Sequence, residues 1–298
     1  MDLLSPAPPT PLQRLSNADT DRAGIQLHIK RDDLIHPTVS GNKWRKLKYS
    51  LRDALEQGAT TILTFGGAYS NHLYATAAAG NALGLKTIGI VRGLELEGQE
   101  NSTLHFCRTN GMMLHYVSRE EYRQRHSETY LEQIAAQFGH PYMIPEGGST
   151  ELALKGVAEM AAEVTGQLGY RPDYFATAAG TGGTAAGILS AGAAVLAFSA
   201  LKGGDFLRED IAALLHENNG PGNLTLFTDY HFGGYAKWND ELLTFMQDFR
   251  AEFDIPLEQV YTAKMFYGLL DLIKKGYFQP GASIVAVHTG GLQGLVKA

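Results

Sequence analysis

The sequence predicts an α/β protein whose mainly parallel sheets form two lobes around one crevice. Apolar runs of strand length alternate with runs of helix length almost throughout the 298 residues, as in chains built from repeated β-α units. Apolar residues make up 44% of the chain and charged residues 19%, which is enough for a substantial core. Paired glycines border many of the apolar runs, as is typical of loops at one edge of an open α/β sheet. The main glycine clusters are 66–67, 147–148, 180–183, 203–204, 233–234 and 290–291.

The N-terminal half predicts alternating strands and helices after a Pro-rich, extended segment over residues 1–24. A helix over 42–57 follows from the apolar residues that recur every three or four positions between Trp44 and Leu55, and Gly58 ends it. An Ala-rich run over 71–83 predicts a second helix, which Gly84 ends. We expect strands at 27–30, 60–65, 87–91, 112–117 and 142–144, and helices at 71–83, 102–109 and within 119–138.

The C-terminal half continues the alternation. A helix over 151–166 precedes a strand at 174–178, which runs into a glycine cluster, and a short helix at 184–190 follows that cluster. Because no linker interrupts the pattern, we expect two lobes that share a crevice rather than tethered domains. The remaining strands are expected at 195–199, 224–228 and 283–288, and the remaining helices at 206–216, 240–252 and 263–275.

Composition and charge argue against several classes of protein. The formal net charge of −6 gives no electrostatic basis for binding nucleic acid or an anionic membrane. No stretch is apolar enough to span a bilayer and no secretory signal is visible, so we expect a cytoplasmic protein without a membrane partner. Cys107 is the single cysteine, which excludes an internal disulfide, and the ten histidines show no metal-binding spacing, so no metal is expected.

Lys43 and Lys46 form the first candidate site, at the start of the helix over 42–57. The helix dipole and burial disfavour the ammonium form of Lys43, so its amine is expected to be partly neutral and able to form an imine with an aldehyde. Lys46 lies one turn further on, near the same helix end, where an anion can bind. Arg45 and Lys48 are neighbours, so a solvated basic face is the alternative.

The turn from Gly66 to His72 is the second candidate site. Ser70 or Asn71 is suited to cap the following helix, which is a sufficient structural reason for either residue. In the functional alternative, free N–H groups of the loop hold a carboxylate while the Ser70 hydroxyl faces the substrate.

The third candidate is the loop from Gly180 to Thr184, with the sequence GTGGT. Free N–H groups of a glycine loop that leads into a helix form a cradle for a phosphate, and threonine hydroxyls add donors. The spacing of Gly180, Gly182 and Ala185 also fits a loose dinucleotide fingerprint, with Asp205 downstream as the acidic residue. Asp205 is better interpreted as a helix cap than as a strand end, and a structural turn without a ligand is a further alternative.

Three more segments place polar or aromatic side chains in turns. They are 259–264 with Tyr261, 287–291 at the end of a strand, and the glycine loop that carries Tyr235. Each is also consistent with ordinary core and turn. Taken together, an amine at a helix start, a cradle for one phosphate and loops for a carboxylate indicate pyridoxal phosphate as cofactor and an amino acid as substrate.

On these motifs the sequence resembles the aminocyclopropane-carboxylate deaminase / D-cysteine desulfhydrase family of pyridoxal-phosphate enzymes, from about Ile29 to Leu292. The resemblance implies fold type II, similar to tryptophan synthase β, with two open three-layer αβα lobes and a homodimer. It implies a large coenzyme-binding domain of residues 1–52 plus 156–298 and a smaller substrate-binding domain of residues 53–155. The motifs are KRDD at 30–33, SGNKWRKL at 40–47, SNH at 70–72, VYTAK at 260–264 and HTGG at 288–291.

The resemblance also implies a role for each matching residue. Lys43 would hold the coenzyme covalently and move the proton at the substrate Cα. The implied cofactor-binding residues are Lys43, Lys46, Asn71, Gly180, Thr181, Gly182, Gly183, Thr184, Thr262 and Thr289. The implied substrate-binding residues are Ser70, Asn71 and His72. The implied catalytic residues are Lys43, Ser70, Tyr235 and Tyr261.

Two positions make the sequence more similar to the desulfhydrases. The deaminases of this family carry Glu at the position of Thr262 and Leu at the position of Thr289. A carboxylate keeps the pyridine nitrogen protonated, whereas a threonine hydroxyl suffices when the substrate Cβ carries a good leaving group. Trp44 and Tyr69 depart from the family's pattern of a smaller residue and a Gln, so we expect both to reshape the substrate pocket.

The predicted reaction is therefore α,β-elimination from a small amino acid, with D-cysteine giving pyruvate, ammonia and sulfide. Within the same class, the alternatives are deamination of 1-aminocyclopropane-1-carboxylate and a lyase or dehydratase reaction on another β-substituted amino acid. A nicotinamide-dependent dehydrogenase is the alternative from a different class, based on the loop at Gly180.

Overall fold

Two β-sheets organise the structure, a computed structural model that describes residues 9–215 and 223–295. The strands in these ranges are β1 (Leu12–Leu15), β2 (Gln26–Lys30), β3 (Thr61–Gly67), β4 (Lys86–Arg92), β5 (Met112–Val117), β6 (Tyr142–Ile144), β7 (Tyr174–Ala179), β8 (Val195–Ser199), β9 (Leu224–Phe227) and β10 (Ser283–Val287). The larger sheet has the order β1-β2-β10-β7-β8-β9 and is parallel except for β1, which pairs antiparallel with β2. The smaller sheet has the order β5-β4-β3-β6 and is parallel throughout.

Helices alternate with these strands. They are α1 (Ala18–Ala23), α2 (Asn42–Glu56), α3 (Asn71–Leu83), α4 (Ser102–Thr109), α5 (Arg119–Tyr122), α6 (Glu128–Gln137), α7 (Glu151–Leu168), α8 (Gly183–Ser190), α9 (Leu207–Leu215), α10 (Asp240–Phe253) and α11 (Thr262–Lys274). Every residue of β8 and β10 is buried, as expected for parallel strands that are covered on both faces. The two strands lie on either side of β7, so the core of the larger sheet is centred there.

The structure confirms the predicted α/β class with mainly parallel sheets. The predicted extended segment over 1–24 is wrong where α1 lies, whereas β1 within the same segment is extended. The side chain of Asn17 accepts hydrogen bonds from the N–H groups of Asp19 and Thr20, and Thr20 completes a capping box that starts α1. Residues 1–8 and the predicted helix end at His216 lie outside the described residues.

Buried ion pairs fix the start of α2. The guanidinium of Arg45 lies 2.9 Å from carboxylate oxygens of both Asp32 and Glu163, and Lys30 pairs with Glu163 at 2.5 Å. Removing one partner from a buried pair leaves an uncompensated charge and is strongly destabilising. The cluster therefore holds the first turn of α2, which carries Lys43, against β2 and α7.

The predicted domain boundaries, after residues 52 and 155, fall inside α2 and α7 and stay predictions. Among the helices in the described ranges, none combines the length and the apolar character needed to cross a bilayer. The same ranges hold no group of three or more His, Cys, Asp or Glu side chains placed to ligate a metal.

Candidate active site

A cavity of about 560 Å³ lies where the carboxyl ends of strands from both sheets meet the start of α2. Ligands bind at this edge in open α/β sheets. The structure brings together in its wall every residue that the sequence predicts for the site, except Thr262; the roles of these residues stay predictions. The predicted residues in the wall are Lys43, Lys46, Ser70, Asn71, His72, Gly180, Thr181, Gly182, Gly183, Thr184, Tyr235, Tyr261 and Thr289.

The start of α2 is docked on the loop that follows β10. Gly41 has a φ of +64° and precedes the helix, and a Cβ at this position would lie 1.8 Å from the carbonyl oxygen of Thr289. The N–H of Asn42 donates to the same oxygen at 3.3 Å. Only glycine permits this approach, which explains why two motifs near opposite ends of the sequence meet beside Lys43.

The two amines of α2 lie in an environment that suits an anion. Burial lowers the pKa of Lys43 to about 8, and burial followed by the charge of Lys43 lowers the pKa of Lys46 well below its ordinary value. Lys46 Nζ donates to the Gly147 carbonyl at 3.1 Å and to Ser149 Oγ at 3.0 Å. The amine of Lys43 has no hydrogen bond or ion pair with a described residue. The alternative of a solvated basic face is wrong, because Lys46 is only 2% exposed.

The loop from Gly180 to Thr184 joins β7 to α8 and forms the opposite wall. A Cβ at Gly183 would lie 2.4 Å from Ser149 Oγ and 2.7 Å from Lys46 Nζ. The hydroxyls of Ser149 and Thr181 are 2.8 Å apart. The amine of Lys46, two hydroxyls and the N–H groups at the start of α8 therefore converge on one small space, and this donor set fits a phosphate.

Ser70 and Asn71 begin α3 at the edge of the cavity. Ser70 Oγ accepts from the N–H of Leu73 at 3.2 Å and also lines the cavity, so the capping and functional interpretations are compatible. Asn71 Oδ1 accepts from Gln293 Nε2 at 2.7 Å, which fixes the orientation of its amide. The first turn of α3 therefore presents a hydroxyl, an oriented amide and backbone N–H groups to a ligand.

His72 is a neutral hydrogen-bond acceptor in this site. Burial, followed by the charges of Lys43 and Lys46, lowers the pKa of His72 well below its ordinary value. Thr64 Oγ1 lies 2.7 Å from His72 Nε2 and donates its single proton to the Ile144 carbonyl, also at 2.7 Å. Thr64 must then accept from Nε2–H, which leaves Nδ1 as a lone-pair acceptor. That Nδ1 is buried without a partner among the described residues.

Two tyrosines close the other side of the cavity. The rings of Tyr235 and Tyr261 are 6.1 Å apart and pack edge to face. Burial raises the pKa of both phenols, so both keep their protons at neutral pH. Lys264, only 1% exposed, donates to the carbonyl of Gly234 at 2.7 Å and so holds the loop that carries Tyr235. Burial lowers the pKa of Lys264 to about 8.

Thr262 and Thr289, the two positions at which the family's desulfhydrases and deaminases differ, lie in different surroundings. Thr262 is fully buried and does not belong to the cavity wall; its hydroxyl accepts from the N–H of Glu258 at 2.9 Å. The structure does not bring Thr262 to the cavity, and its contact with the pyridine nitrogen stays a prediction. Thr289 lines the cavity, and its hydroxyl makes no hydrogen bond to a described residue.

Sequence reasoning missed several residues of the wall. Ser149 follows the glycine pair at 147–148 shortly after β6, and this signal was sufficient to find it. Arg92 ends β4, and Arg125 pairs with Glu146 at 2.7 Å. Arg92, Arg125 and Glu146 come from separate segments without a local motif, so only the fold shows that they lie together.

Trp44 and Tyr69, the two residues that depart from the family's pattern, lie in different parts of the structure. Trp44 is 3% exposed and packs in the core with Leu47. It does not reach the cavity wall, so the expectation that it reshapes the pocket is wrong. Tyr69 is exposed and lines a second cavity of about 440 Å³. The walls of the two cavities share Gly67, Arg92 and Tyr235, so Tyr69 lies at the approach to the first.

The fold and the site together define an enzyme that uses a phosphate-bearing aldehyde coenzyme. The unpartnered amine of Lys43 suits the aldehyde. The space beside Gly183, which a Cβ would fill, suits the phosphate. The residues present therefore fit pyridoxal phosphate, with Lys43 at one end and Lys46, Ser149 and the loop from Gly180 to Thr184 at the other.

Comparisons with known proteins agree with this assignment. A family model described as pyridoxal-phosphate dependent enzyme matches residues 4–290, and the chain belongs to that family. The bifunctional D-cysteine desulfhydrase/1-aminocyclopropane-1-carboxylate deaminase, mitochondrial, of Arabidopsis thaliana is 36% identical over 96% of this chain and 77% of its own length. The D-cysteine desulfhydrase of Yersinia enterocolitica is 31% identical over 99% of this chain and 94% of its own length. A crystal structure of an ACC deaminase homologue has a TM-score of 0.79 and 31% identity, and covers 98% of this chain and 92% of that one.

These findings confirm the predicted resemblance, fold type II, the pyridoxal-phosphate cofactor and the enzyme class. They leave the dinucleotide alternative without support. Asp205, the acidic residue on which that alternative depended, lies in a 3-10 turn over Gly204–Phe206.

Proposed function

We propose that the protein is a pyridoxal-phosphate-dependent lyase that catalyses α,β-elimination from a small β-substituted amino acid. D-cysteine, which would give pyruvate, ammonia and sulfide, is the leading substrate. The observation that carries this proposal is the buried, unpartnered amine of Lys43, one helical turn from Lys46 and its phosphate cradle. The relatives named above, which carry the names desulfhydrase and deaminase, support the reaction class.

The residues at the coenzyme end supply binding and proton transfer. Pyridoxal phosphate, when bound, supplies an electron sink for the pair left behind when the substrate Cα loses its proton. Lys46, Ser149 and the N-terminus of α8 would hold the phosphate. The pKa of Lys43, about 8, suits its Nζ to bind the aldehyde carbon and, once free, to carry the proton of Cα.

The residues at the substrate end supply orientation and a proton donor. The Ser70 hydroxyl and the N–H groups of the first turn of α3 would bind the α-carboxylate. Neutral His72 adds an acceptor without adding charge. The phenols of Tyr235 and Tyr261 keep their protons because burial raises the pKa of each, so either can donate to a departing group.

Thr262 and Thr289 support elimination over opening of the cyclopropane ring, because the deaminases of the family carry Glu and Leu at these positions. The hydroxyl of Thr289 lines the cavity without a described partner and is free to contact the coenzyme. The resemblance implies that Thr262 takes the place of the carboxylate at the pyridine nitrogen, and a hydroxyl stabilises a protonated pyridine less than a carboxylate does, so the site suits substrates whose Cβ carries a good leaving group. Deamination of 1-aminocyclopropane-1-carboxylate is the second candidate, because the Arabidopsis relative carries both names.

A substrate panel tests the proposed reaction. We expect release of a keto acid from D-cysteine with a kcat/KM at least about tenfold above that for 1-aminocyclopropane-1-carboxylate. The reverse preference would show that the argument from Thr262 and Thr289 is wrong.

Borohydride reduction and peptide mass analysis test the assignment of the amine. We expect the coenzyme on Lys43, and we expect Lys43→Ala to lose both the covalent label and the activity, the latter by at least about 1,000-fold. Lys275→Ala is the control, because that lysine is exposed and pairs with Asp271. A label that stays on another lysine in Lys43→Ala would refute the proposal.

The cytoplasmic location and the homodimer stay predictions. Light scattering measures the mass of the particle in solution and so tests the homodimer.

A further inference from the structure

Arg92 is a cation of the site to which the proposed reaction gives no role. It is the last residue of β4, and it lies in the walls of both cavities. Its side chain is half-buried. Lys43 and Lys46 are committed to the coenzyme in the proposed function. Arg92 is therefore a positive charge in the wall that needs another explanation.

Arg92 differs from the other two described arginines of these walls in having no carboxylate partner. Arg119 pairs with Glu95 and Arg125 pairs with Glu146, each at 2.7 Å. No described carboxylate lies within ion-pair distance of Arg92. Its guanidinium instead stands 5.8 Å from the centre of the Tyr122 ring. The charge of Arg92 also acts on Glu95, but Glu95 is paired with Arg119. A partly buried guanidinium that is not ion-paired keeps its planar fork of donors available to a ligand.

The guanidinium lies close to the substrate end of the cavity. Gly67 and Arg92 are paired in register at the carboxyl ends of β3 and β4. A Cβ on Gly67 would lie 3.6 Å from an Arg92 terminal nitrogen, and Gly67 is three residues before Ser70. Tyr235 lines both cavities together with Arg92, so the guanidinium shares these walls with a phenol.

We propose that Arg92 binds an anionic oxyacid group, a sulfonate or a phosphate ester, on the Cβ substituent of the amino-acid substrate. The inference rests on the proposed function, because it takes the first turn of α3 as the site of the α-carboxylate. That turn already supplies N–H groups and the Ser70 hydroxyl to one carboxylate. A second anionic group on the same substrate then requires a second donor, and Arg92 reaches the cavity from the neighbouring strand.

The chemistry of such a substrate is an ordinary elimination. Cα loses its proton to a base of the site, the Cβ–S or Cβ–O bond breaks, and its electron pair leaves with sulfite or phosphate. The resulting enamine takes up water and releases ammonia to give pyruvate. No oxidant or reductant takes part. Arg92 would bind the anionic group before the reaction and stabilise the charge that builds on it as it departs.

Calorimetric binding of three inert acids to the holoenzyme tests the proposal without turnover. Propionate carries the carboxylate alone, and 3-sulfopropionate and 3-phosphonopropionate add a sulfonate or a phosphonate at the other end. We expect the wild type to bind at least one of the two dianions about 10- to 100-fold more tightly than propionate, as for a charge-assisted contact. The preferred dianion distinguishes the two leaving groups. Equal affinity for all three acids would overturn the proposal.

Variants of two arginines identify the residue responsible. In Arg92→Gln we expect the advantage of the dianion to disappear while propionate binds as before, and Arg92→Lys should retain part of it. Arg119→Gln is the matched control, because Arg119 lines only the second cavity and is paired with Glu95. If Arg92→Gln weakens propionate as much as the dianions, Arg92 binds the α-carboxylate and the proposal is wrong. If Arg92→Gln does not fold, the comparison of acids in wild type and Arg92→Lys still decides.

Turnover separates this inference from the function on which it rests. We expect kcat/KM for cysteate or O-phosphoserine to exceed that for cysteine of the same configuration, and to fall in Arg92→Gln at least about tenfold more than the value for cysteine falls. Turnover of cysteine with equal loss for all substrates in the variant would refute the role of Arg92 alone. Absence of keto acid from every amino acid would refute the proposed function itself.

Discussion

The coenzyme end and the substrate end of the cavity differ in how their polar side chains are partnered. At the coenzyme end, Lys46 is bonded to Ser149, and Ser149 to Thr181, at 3.0 and 2.8 Å. At the substrate end, the guanidinium of Arg92 and Nδ1 of His72 have no hydrogen-bond partner among the described residues. The cradle is thus organised by contacts within the protein, while the substrate end keeps these groups for the ligand.

This difference shows which part of the site is general and which part is specific. A preorganised cradle loses little entropy on binding the phosphate and suits any enzyme that uses the same coenzyme. Unpartnered groups are costly until a matching ligand satisfies them, so they discriminate between substrates. Changes that affect the two ends separately test this difference.

Filling the cradle should have the largest effect. In Gly183→Ala the new Cβ would lie 2.4 Å from Ser149 Oγ and 2.7 Å from Lys46 Nζ, so both donors must move away from the phosphate. We expect the Kd of pyridoxal phosphate to rise at least about 100-fold, because two charge-assisted contacts to the phosphate are lost. Equilibrium dialysis of the apoprotein with coenzyme measures it.

Gly166→Ala is the matched control for this experiment. Gly166 lies inside α7 and a Cβ there would meet nothing within 4 Å. We expect unchanged coenzyme affinity and a gain of about 0.5–1 kcal/mol in the free energy of unfolding. A Gly183→Ala protein that binds coenzyme as tightly as this control would show that the phosphate lies elsewhere.

The pH dependence of coenzyme incorporation should show the lowered pKa of Lys43. Burial brings this pKa to about 8, so the neutral amine increases about tenfold per pH unit below 8 and levels off above it. We expect the rate of coenzyme incorporation into the apoprotein, followed by absorbance, to have the same shape. The reaction of butylamine with free coenzyme over the same pH range is the reference, since it shows the effect of the coenzyme's own ionisation on the rate. A rate that rises without a break toward the ordinary lysine value would contradict the assignment.

Loosening the loop that carries Tyr235 should have the smallest effect and should act on the substrate end alone. Lys264→Met removes the donor to the Gly234 carbonyl, which lies next to Tyr235. We expect kcat/KM to fall about 3- to 10-fold with coenzyme affinity unchanged. Lys274→Met is the control, on an exposed position of the same helix. A loss of coenzyme affinity in Lys264→Met would show that the two ends are coupled.

The same variant makes a prediction for stability. The pKa of Lys264 is about 8 in the folded protein, below its unfolded value, so the unfolded state binds more protons between these two values. This group therefore makes the free energy of unfolding rise with pH above 8. Urea denaturation between pH 8 and 10 should show a smaller rise in Lys264→Met than in the wild type. Equal slopes would show that Lys264 titrates normally.

The coenzyme end could be predicted from the sequence because its residues lie in local motifs. A glycine loop between a strand and a helix predicts a phosphate cradle, and a lysine at a helix start predicts a reactive amine. The structure places both in one cavity. Ser149 carried the same signal, a glycine pair after a strand, and could have been predicted with them. The segment over 12–23 was also within reach, since Asn17 and Thr20 form a capping box.

The substrate end could not be predicted, because it is assembled from segments without such motifs. Arg92 is the end of an ordinary strand, and Arg125 and Glu146 meet only after the chain has folded. The positions of Thr262 and Trp44 depend on whether a side chain points to the cavity or to the core. A motif gives the sequence position of such a residue but not its direction, which is set by packing across the whole domain.

The contact between Gly41 and Thr289 has a consequence for biosynthesis. The last strand, β10, inserts between β2 and β7 in the middle of the larger sheet, and the loop after it supports the turn that carries Lys43. A nascent chain therefore cannot complete its reactive centre until β10 and the loop after it have left the ribosome. Translation products that stop before this strand would lack the central pairing of the sheet and the support beneath the lysine that binds the vitamin-derived group.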